Sequence, residues 1–233
     1  MAEAAFRAVK LSPMRRMIAA RMSDANQTIP HFRLVASVEV DRLIALRRAM
    51  NDASGDRVTL NDLLVKACAM ALLEVPEVNV QWMETELHHY AHADITVVTA
   101  VPGGLTTPIV RGADLKSVLE ISREIRTLSE RAARHALKMD EILGGSFGIS
   151  NLGMFGIEQF DAIINPPQCA MLAVGKADPR LVVDDEGAMR IANILRMTLS
   201  VDHRAIDGAT AAAFMSALRR HLGAPKHLAE VTR

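Results

Sequence analysis

The chain has 233 residues, half of them apolar, which is enough for the hydrophobic core of one large domain or two small ones. Lys and Arg total 27, as do Asp and Glu, so no net charge draws the protein to nucleic acid or to an anionic membrane. Aromatic residues make up only 3%, too few for stacking on single-stranded nucleic acid. No apolar stretch approaches the roughly 20 residues that cross a bilayer, and a signal peptide is not apparent. We therefore expect a soluble, cytoplasmic, globular protein.

Two cysteines are present, and both lie in apolar sequence surroundings. A thiol at such a position usually behaves as a small buried hydrophobic group. Because an isolated pair without a secretory signal is weak evidence for a disulfide, we expect Cys68 and Cys169 to be free thiols in a reducing compartment.

The chain begins with a predicted amphipathic helix followed by a strand. Ser12 is suited to cap a helix that starts at Pro13. Apolar residues then recur on one face of that helix, at Met14, Met17, Ile18 and Met22. Strict alternation of apolar residues predicts a strand with one buried face over residues 31–40.

Two further helices follow. Asp41 is predicted to cap a helix that runs to about Met50, and residues 51–56 form a polar, glycine-containing turn. Thr59 is predicted to cap a core helix, with apolar residues at regular spacing of three and four, that ends before Pro76.

The middle of the chain predicts two strands and a helix. Residues 94–101 and 106–110 have the composition of strands and flank a Pro-Gly-Gly turn at 102–104. Asp114 is predicted to cap a helix that continues through Leu128, with its charged residues on the solvent face.

Beyond Gly144 the pattern changes to strands and turns, followed by a final helix. Gly208 opens this alanine-rich helix and is expected to allow a tight turn into it. The predicted strands cover residues 146–150, 170–175, 181–183 and 190–201. Since no repeat or low-complexity linker interrupts the chain, we expect a single α/β domain.

The leading candidate for chemistry is His203, at the end of the last predicted strand. Asp202 precedes it and Asp207 follows it by four residues, so carboxylates are available to fix its tautomer for proton transfer. Spacing alone nevertheless favours a structural histidine, because His-x-x-x-Asp occurs by chance in many chains.

Three longer segments give this histidine a context: Gly-Ser-Phe-Gly-Ile-Ser-Asn-Leu-Gly at 145–153, Ile-Ile-Asn-Pro-Pro-Gln at 163–168 and Asp-His-Arg-Ala-Ile-Asp-Gly at 202–208. In this order they resemble the catalytic core of dihydrolipoamide acyltransferases, the central component of 2-oxo acid dehydrogenase complexes. The likeness extends from about Leu11 to the C-terminal helix. It implies the α/β fold of chloramphenicol acetyltransferase, in which helices pack on a mixed, largely antiparallel sheet and the active site lies at a trimer interface.

The resemblance also implies a mechanism. His203 would act as general base on a thiol that attacks a thioester, without a covalent acyl-enzyme. Ser150 occupies the position whose hydroxyl stabilises the tetrahedral oxyanion, and a turn serine bonded to its own backbone is the alternative. Coenzyme A would be a substrate, and no tightly bound cofactor is expected. In the implied trimer, His203 of one subunit would face Ser150 of the next.

The remaining candidates have supporting roles. Asp207 matches a position that holds local structure, and Arg21 is its candidate buried partner, with an ordinary exposed arginine as the alternative. His31 matches the family's Pro-His-Phe segment at the first strand, where a structural role and a place in the substrate channel are both open. The other expected support residues are Arg204, Asn151, Gly153 and Gly208.

A metal site is not expected. His88, His89 and His92 have a spacing that could bind a metal ion, but no cysteine or second cluster completes a tetrahedral set. The segment that contains them, residues 88–92, is also predicted to be a loop or an edge strand.

Three functions remain open at this point. The first is an acetyl-specific transferase core that passes the acyl group to dihydrolipoamide, as a trimer or as part of a larger cubic or dodecahedral assembly with dehydrogenase subunits. The second is a stand-alone acetyl-CoA-dependent enzyme of a biosynthetic pathway, which acetylates a hydroxyl group such as that of a tetronate, or a carrier-protein thiol. The third is a non-catalytic scaffold subunit. We expect residues 1–233 to form one catalytic domain with its core at about 11–225, without lipoyl or subunit-binding domains.

Overall fold

The strands lie mainly in one six-stranded sheet. In the computed structural model, which describes residues 6–101, 104–184 and 186–230, the strands are β1 (His31–Glu39), β2 (Val80–Trp82), β3 (Leu87–His89), β4 (Ile95–Val97), β5 (Thr99–Val101), β6 (Gly104–Thr106), β7 (Ile109–Val110), β8 (Phe147–Asn151), β9 (Ala170–Val183) and β10 (Met189–Asp202). Strands β2 and β3 form a separate hairpin, as do β5 and β6.

The order of the large sheet is β1-β10-β9-β8-β4-β7. Neighbours are antiparallel at β1/β10, β10/β9 and β4/β7, and parallel at β9/β8 and β8/β4. The predicted mixed, largely antiparallel sheet is therefore confirmed. The long β9–β10 pair forms its centre and extends beyond the end of β1.

Five α-helices accompany the sheet in the described ranges: α1 (Pro13–Thr28), α2 (Asp41–Ser54), α3 (Leu60–Glu74), α4 (Val118–Ala133) and α5 (Gly208–Gly223). Helix α3 contacts α2, α4 and α5, and α5 also packs on β1. Because α3 is packed against three other helices, ten of its 15 residues are buried. The α/β architecture of helices packed on a mixed sheet agrees with the predicted fold class.

Two predicted helix caps are wrong. The Asp41 carboxylate accepts hydrogen bonds from Asn193 of β10 instead, and the N-cap residue of α2 is Val40, without a side-chain cap. The Asp114 carboxylate accepts from the backbone N–H of Ala93, while Ser117 caps α4. In both cases a tertiary hydrogen bond uses the carboxylate that was expected to cap the next helix.

Other element bounds differ from the sequence prediction for similar reasons. Residues 94–101 divide into β4 and β5, because the chain leaves the large sheet after Val97 to form the β5–β6 hairpin. The predicted turn at 102–104 lies partly outside the described residues. Residues 181–183 belong to the same strand as 170–175, since β9 stays paired with β10 along its whole length.

Helix α1 has the predicted cap, and the Ser12 hydroxyl accepts a hydrogen bond from the N–H of Arg15. Its apolar face, however, packs little within the chain. Met17 is 65% exposed, and Ala25 is the buried residue of the helix. The sequence pattern predicted the helix correctly but not the partner of its apolar face.

Both cysteines are free and buried, as expected. Burial raises the pKa of the Cys68 thiol, and it raises the pKa of Cys169 to about 12. Over the described part of the chain, no helix has the length and apolarity needed to cross a membrane.

Candidate active site

His203 lies directly after β10, at the end of the sheet where β1 begins. Its backbone N–H donates to the carbonyl of Pro30 at 3.1 Å, and its ring lies 5.1 Å from the ring of Phe32, measured between centroids. The residue is exposed. The imidazole is therefore held beside the start of β1 and remains accessible to a ligand.

The residues on either side of His203 bind each other. Asp202 is 1% exposed, and its carboxylate accepts hydrogen bonds from the Nε and Nη2 of Arg204 at 2.9 and 2.6 Å. The backbone N–H of Arg204 also donates to this carboxylate, at 3.0 Å. Hydrogen bonding to Asp202 raises the pKa of the Arg204 guanidinium above its ordinary value. The turn that carries His203 is therefore fixed by a charged pair with one buried member.

Asp207 caps the final helix. Its carboxylate accepts a hydrogen bond from the N–H of Thr210 at 2.8 Å. This bond lowers the pKa of Asp207, as do further hydrogen bonds within the same turn. A carboxylate held in this way supports the turn between His203 and α5.

Ser150 lies on β8 and lines a large cavity. The cavity has a volume of about 1020 Å³ and is bounded by residues of α2, α3, α4, β5, β8 and β9. Ser150 is partly exposed, and β8 pairs with β9 so that Ser150 lies opposite Ala173. The hydroxyl is thus placed where a bound molecule can reach it.

The same cavity is strongly basic. Its charged lining residues are Arg47, Arg57, Arg126, Lys176 and Asp62. Lys176 pairs with Asp178, whereas the three arginines form no ion pair with the described residues, and the Nε of Arg47 is buried without a hydrogen-bond partner there. Burial raises the pKa of Asp62, against the effect of its hydrogen bonds to Thr59. This balance of charge favours an anionic ligand.

Ser150 and His203 do not meet within one chain. Ser150 is level with Ala173 and Thr198 across β8, β9 and β10, and His203 comes five residues after Thr198. At roughly 3.3 Å per residue this places the two about 16 Å apart along the strands, and two strand spacings of about 5 Å separate them across the sheet. His203 is also not among the residues that line the cavity.

The loop after Ser150 has the supporting contacts that were expected. The side-chain oxygen of Asn151 accepts a hydrogen bond from the N–H of Gly153 at 2.9 Å. A Cβ on Gly153 would lie 2.6 Å from the carbonyl oxygen of Gly175, so no side chain fits there. Gly208 differs from its prediction, because its backbone is not left-handed and a Cβ would meet Phe32 at an ordinary 3.5 Å. No tight turn therefore requires glycine at 208.

Both ring nitrogens of His31 lie within hydrogen-bond distance of the backbone. Its Nδ1 lies 2.9 Å from the carbonyl of Ile29, and its Nε2 accepts a hydrogen bond from the N–H of Ile164 at 3.1 Å. These contacts fit a neutral ring that donates from Nδ1. His31 therefore joins the start of β1 to the 163–168 segment.

Arg21 does not pair with Asp207 in this chain. Its guanidinium donates to the carbonyl of Pro166, and Asp207 is bonded to Thr210. The predicted pairing is wrong because α1 lies against the 163–168 segment rather than against the turn after β10. Arg21 is exposed, as the alternative interpretation had it.

Two histidines of the predicted 88–92 cluster lie beside carboxylates. His88 lies 2.7 Å from Glu86 on the β2–β3 hairpin, and His92 lies 2.9 Å from Asp114. Among the described residues no group of three or more His, Cys, Asp or Glu side chains is arranged to hold a metal ion.

Two features of the site were missed in the sequence. Trp82 lies under the guanidinium of Arg204, with the Cζ atom 4.5 Å from the ring centroid. Arg47 lines the Ser150 cavity although it lies on α2, far away in sequence. The sequence offered one hint of a special role for Trp82, since it is the only tryptophan of the chain. Neither contact has a local sequence pattern, since each joins segments more than 100 residues apart.

The comparisons with known proteins agree on one family. The family of 2-oxoacid dehydrogenases acyltransferase (catalytic domain) matches residues 3–230. The dihydrolipoyllysine-residue acetyltransferase component of the pyruvate dehydrogenase complex of Rhizobium meliloti is 42% identical over 91% of this chain and 49% of its own length. The corresponding component of Zymomonas mobilis is 45% identical over 95% of this chain and 49% of its own length. The chain thus spans about half the length of these curated relatives.

Solved structures are similar along nearly the whole chain. Dihydrolipoamide acetyltransferase of Azotobacter vinelandii, whose crystallographic and enzymatic study concerned a serine, a histidine and an asparagine in the catalytic mechanism, has a TM-score of 0.91 and 32% identity over 96% of this chain and 93% of that one. The cubic core of the pyruvate dehydrogenase multienzyme complex also has a TM-score of 0.91, with 31% identity and the same coverage. Chloramphenicol acetyltransferase, at 16% identity and a TM-score of 0.57 over 87% of this chain and 94% of that one, shares the fold. The chain therefore belongs to the family of 2-oxoacid dehydrogenase acyltransferase catalytic domains.

Proposed function

We propose that this chain transfers an acetyl group between coenzyme A and dihydrolipoamide, with His203 as general base and Ser150 as oxyanion donor. The observation that carries the proposal is the exposed His203 at the end of β10, in a chain 42% and 45% identical to two acetyltransferase components. In the Azotobacter relative the serine, histidine and asparagine named for catalysis follow in the same order. Its histidine and asparagine are four residues apart, the spacing of His203 and Asp207.

The cavity beside Ser150 supports coenzyme A as one substrate. Coenzyme A carries a diphosphate and a 3′-phosphate, and arginine binds phosphate oxygens through charge-assisted hydrogen bonds. Arg47, Arg57 and Arg126 supply three such cations at one cavity, without ion pairs among the described residues. The cavity volume of about 1020 Å³ is at the upper end of the range for small-molecule sites.

The separation of Ser150 from His203 supports a site made by two subunits. Within one chain the two lie about 16 Å apart along the strands, whereas a shared oxyanion and thiol need both groups within hydrogen-bond reach. A cyclic trimer supplies three equivalent interfaces, each with His203 from one subunit and Ser150 from the next. Activity would then require assembly. The similarity to a cubic core supports the further proposal that the trimers form a larger particle.

The reaction follows from these two groups. His203 removes the proton from the thiol of coenzyme A as the sulfur attacks the thioester carbonyl of acetyl-dihydrolipoamide. The carbonyl oxygen becomes an oxyanion, and the Ser150 hydroxyl donates a hydrogen bond to it. The intermediate collapses, the C–S bond to dihydrolipoamide breaks, and protonated His203 returns its proton to the departing sulfur. Acetyl-CoA and dihydrolipoamide result, and the reverse direction uses the same steps.

The identity of the acceptor molecule is a separate part of the proposal. The curated relatives named above are acetyltransferase components of pyruvate dehydrogenase complexes, which favours dihydrolipoamide over a natural-product hydroxyl or a carrier-protein thiol. We further propose that residues 1–233 form a single catalytic domain, that coenzyme A is a substrate rather than a bound cofactor, and that the protein acts in the cytoplasm.

The test is an assay with acetyl-CoA and each acceptor class in turn. Acetyl transfer is followed by release of free coenzyme A and by mass spectrometry of the product, with a sample lacking the acceptor as control. We expect turnover with dihydrolipoamide. A folded, assembled protein that acetylates a hydroxyl acceptor and not dihydrolipoamide would contradict the proposed acceptor, and one that transfers to neither would contradict the function.

A further inference from the structure

The β2–β3 hairpin stands apart from the large sheet and lies against the turn that carries His203. Trp82, at the end of β2, places its ring under the guanidinium of Arg204, with Cζ 4.5 Å from the ring centroid. This distance is within the range of cation–π attraction. The hairpin thus contacts the residue that follows His203, although β2 and β10 are far apart in sequence.

Arg204 is held from two directions. Its Nε and Nη2 donate to the buried carboxylate of Asp202, and its Cζ lies over the ring of Trp82. A guanidinium presents donors at its edge and a weakly hydrated face, so both contacts can form together. Because Asp202 and Arg204 immediately flank His203, the orientation of the guanidinium constrains the backbone from which the imidazole projects.

Trp82 is itself anchored to the neighbouring loop. The backbone N–H of Trp82 donates to the carbonyl of Pro167 at 2.9 Å, and the side-chain amide of the preceding Gln81 donates to the carbonyl of Gly145 at 2.6 Å. The same loop reaches the end of β10, because the N–H of Asp202 donates to the carbonyl of Cys169 at 2.8 Å. The backbone from which the indole projects is therefore fixed by the same segment, residues 167–169, that fixes the backbone of Asp202.

We propose that Trp82 is a positioning residue for His203, which acts by holding Arg204 against Asp202. This role rests on the proposed function, since it supposes that His203 is the base. Displacement of a general base by about 1 Å can slow the reaction strongly, while groups remote from the base still bind the substrates. Loss of the indole face should therefore lower kcat and leave KM nearly unchanged.

The test compares substitutions of Trp82 in the assembled enzyme with acetyl-CoA and dihydrolipoamide. We expect Trp82→Leu to lower kcat about 10-fold with KM for both substrates within about 2-fold, and Trp82→Phe to keep kcat within about 3-fold because it retains an aromatic face. Met83→Ala, at the exposed next residue, is the matched control and should leave kcat unchanged. If Trp82→Leu does not assemble, Trp82→Met replaces it, because methionine also fills apolar space without an aromatic ring. The same roughly 10-fold fall in kcat is then expected.

A second substitution tests whether Trp82 acts through Arg204. Arg204→Lys keeps the charge but loses the planar face and the two-point contact with Asp202. In that background Trp82→Leu should cost less than about 3-fold in kcat, because the two changes remove one interaction. The positioning role of Trp82 would be overturned if Trp82→Leu lowered kcat equally with Arg204 and with Lys at position 204, or if it left kcat unchanged. Either result would leave the proposed function standing. An inactive wild type would instead overturn the proposed function.

Discussion

The two halves of the candidate site are built in different ways. The turn at His203 is held by polar contacts, with the buried carboxylate of Asp202 bound to Arg204 and the N–H of His203 bound to Pro30. The surroundings of Ser150 are an open cavity with an apolar strand behind it and cations around it. One region fixes a single side chain, and the other leaves room for a ligand. This contrast suits a base that must be oriented and a substrate that must enter, and it is tested by perturbing each region separately.

The largest effect is expected at His203. His203→Ala removes the proposed general base, so kcat should fall by roughly 10³-fold, near the middle of the range for such catalysis. The measurement is steady-state acetyl transfer, with the thermal unfolding midpoint and particle size of the variant as controls. If a folded, assembled His203→Ala retained most of its kcat, the imidazole would have no role in proton transfer.

Substitution of Ser150 should have the next largest effect. Ser150→Ala removes the proposed oxyanion donor and should lower kcat by about 10²-fold with little change in KM. Ser150→Thr keeps a hydroxyl and is the matched control. A fall in affinity for substrate with kcat preserved would place Ser150 in binding rather than in stabilisation of the oxyanion.

Mixing the His203→Ala and Ser150→Ala variants tests whether the two groups of one site come from different subunits. When His203→Ala and Ser150→Ala subunits are unfolded and reassembled together in equal amounts, about one in four interfaces of a trimer joins an intact His203 to an intact Ser150. About a quarter of the wild-type activity should then return. Were both groups of each site supplied by one chain, no site in the mixture would be intact and no activity would return.

A smaller effect is expected at the cavity arginines. Arg47→Met should raise the KM for acetyl-CoA about 10-fold, the equivalent of one lost phosphate contact, with kcat largely kept. The KM for an acetyl-pantetheine thioester, which lacks the phosphates, should not change. Arg48→Met, at the exposed next residue of α2, is the matched control. Equal changes for both thioesters would argue against phosphate binding at Arg47.

The smallest effect is expected at Asp207. Asp207→Ala removes the cap of α5 and should lower Tm by a few degrees, whereas Asp207→Asn retains the cap. Because the folded-state pKa of Asp207 is lowered below its ordinary 3.8, its stabilisation is present above that value and is lost as the pH falls through the lowered pKa. Thermal unfolding of wild type and Asp207→Ala should therefore differ at neutral pH and converge in acid. A difference independent of pH would assign the effect to something other than the carboxylate.

The sequence by itself determined most of the elements and the identity of the chemical groups. Thr59 caps α3 as predicted, because a capping box with Asp62 is a contact between residues three apart. Alternation likewise predicted β1 and β10, since the side-chain period of a strand is local. His203, Ser150 and Asp207 were proposed as site residues because two of the three segments that resemble the acyltransferase family contain them.

Only the tertiary structure decided which groups meet. Asp41 and Asp114 have the chemistry of helix caps, yet each carboxylate binds a residue of a distant strand or loop. The place of Trp82 under Arg204, and the separation of Ser150 from His203 within one chain, likewise depend on strand order and register. Caps and periodicity are set by contacts between near neighbours in the chain, whereas these pairings join segments that approach each other only when the sheet assembles.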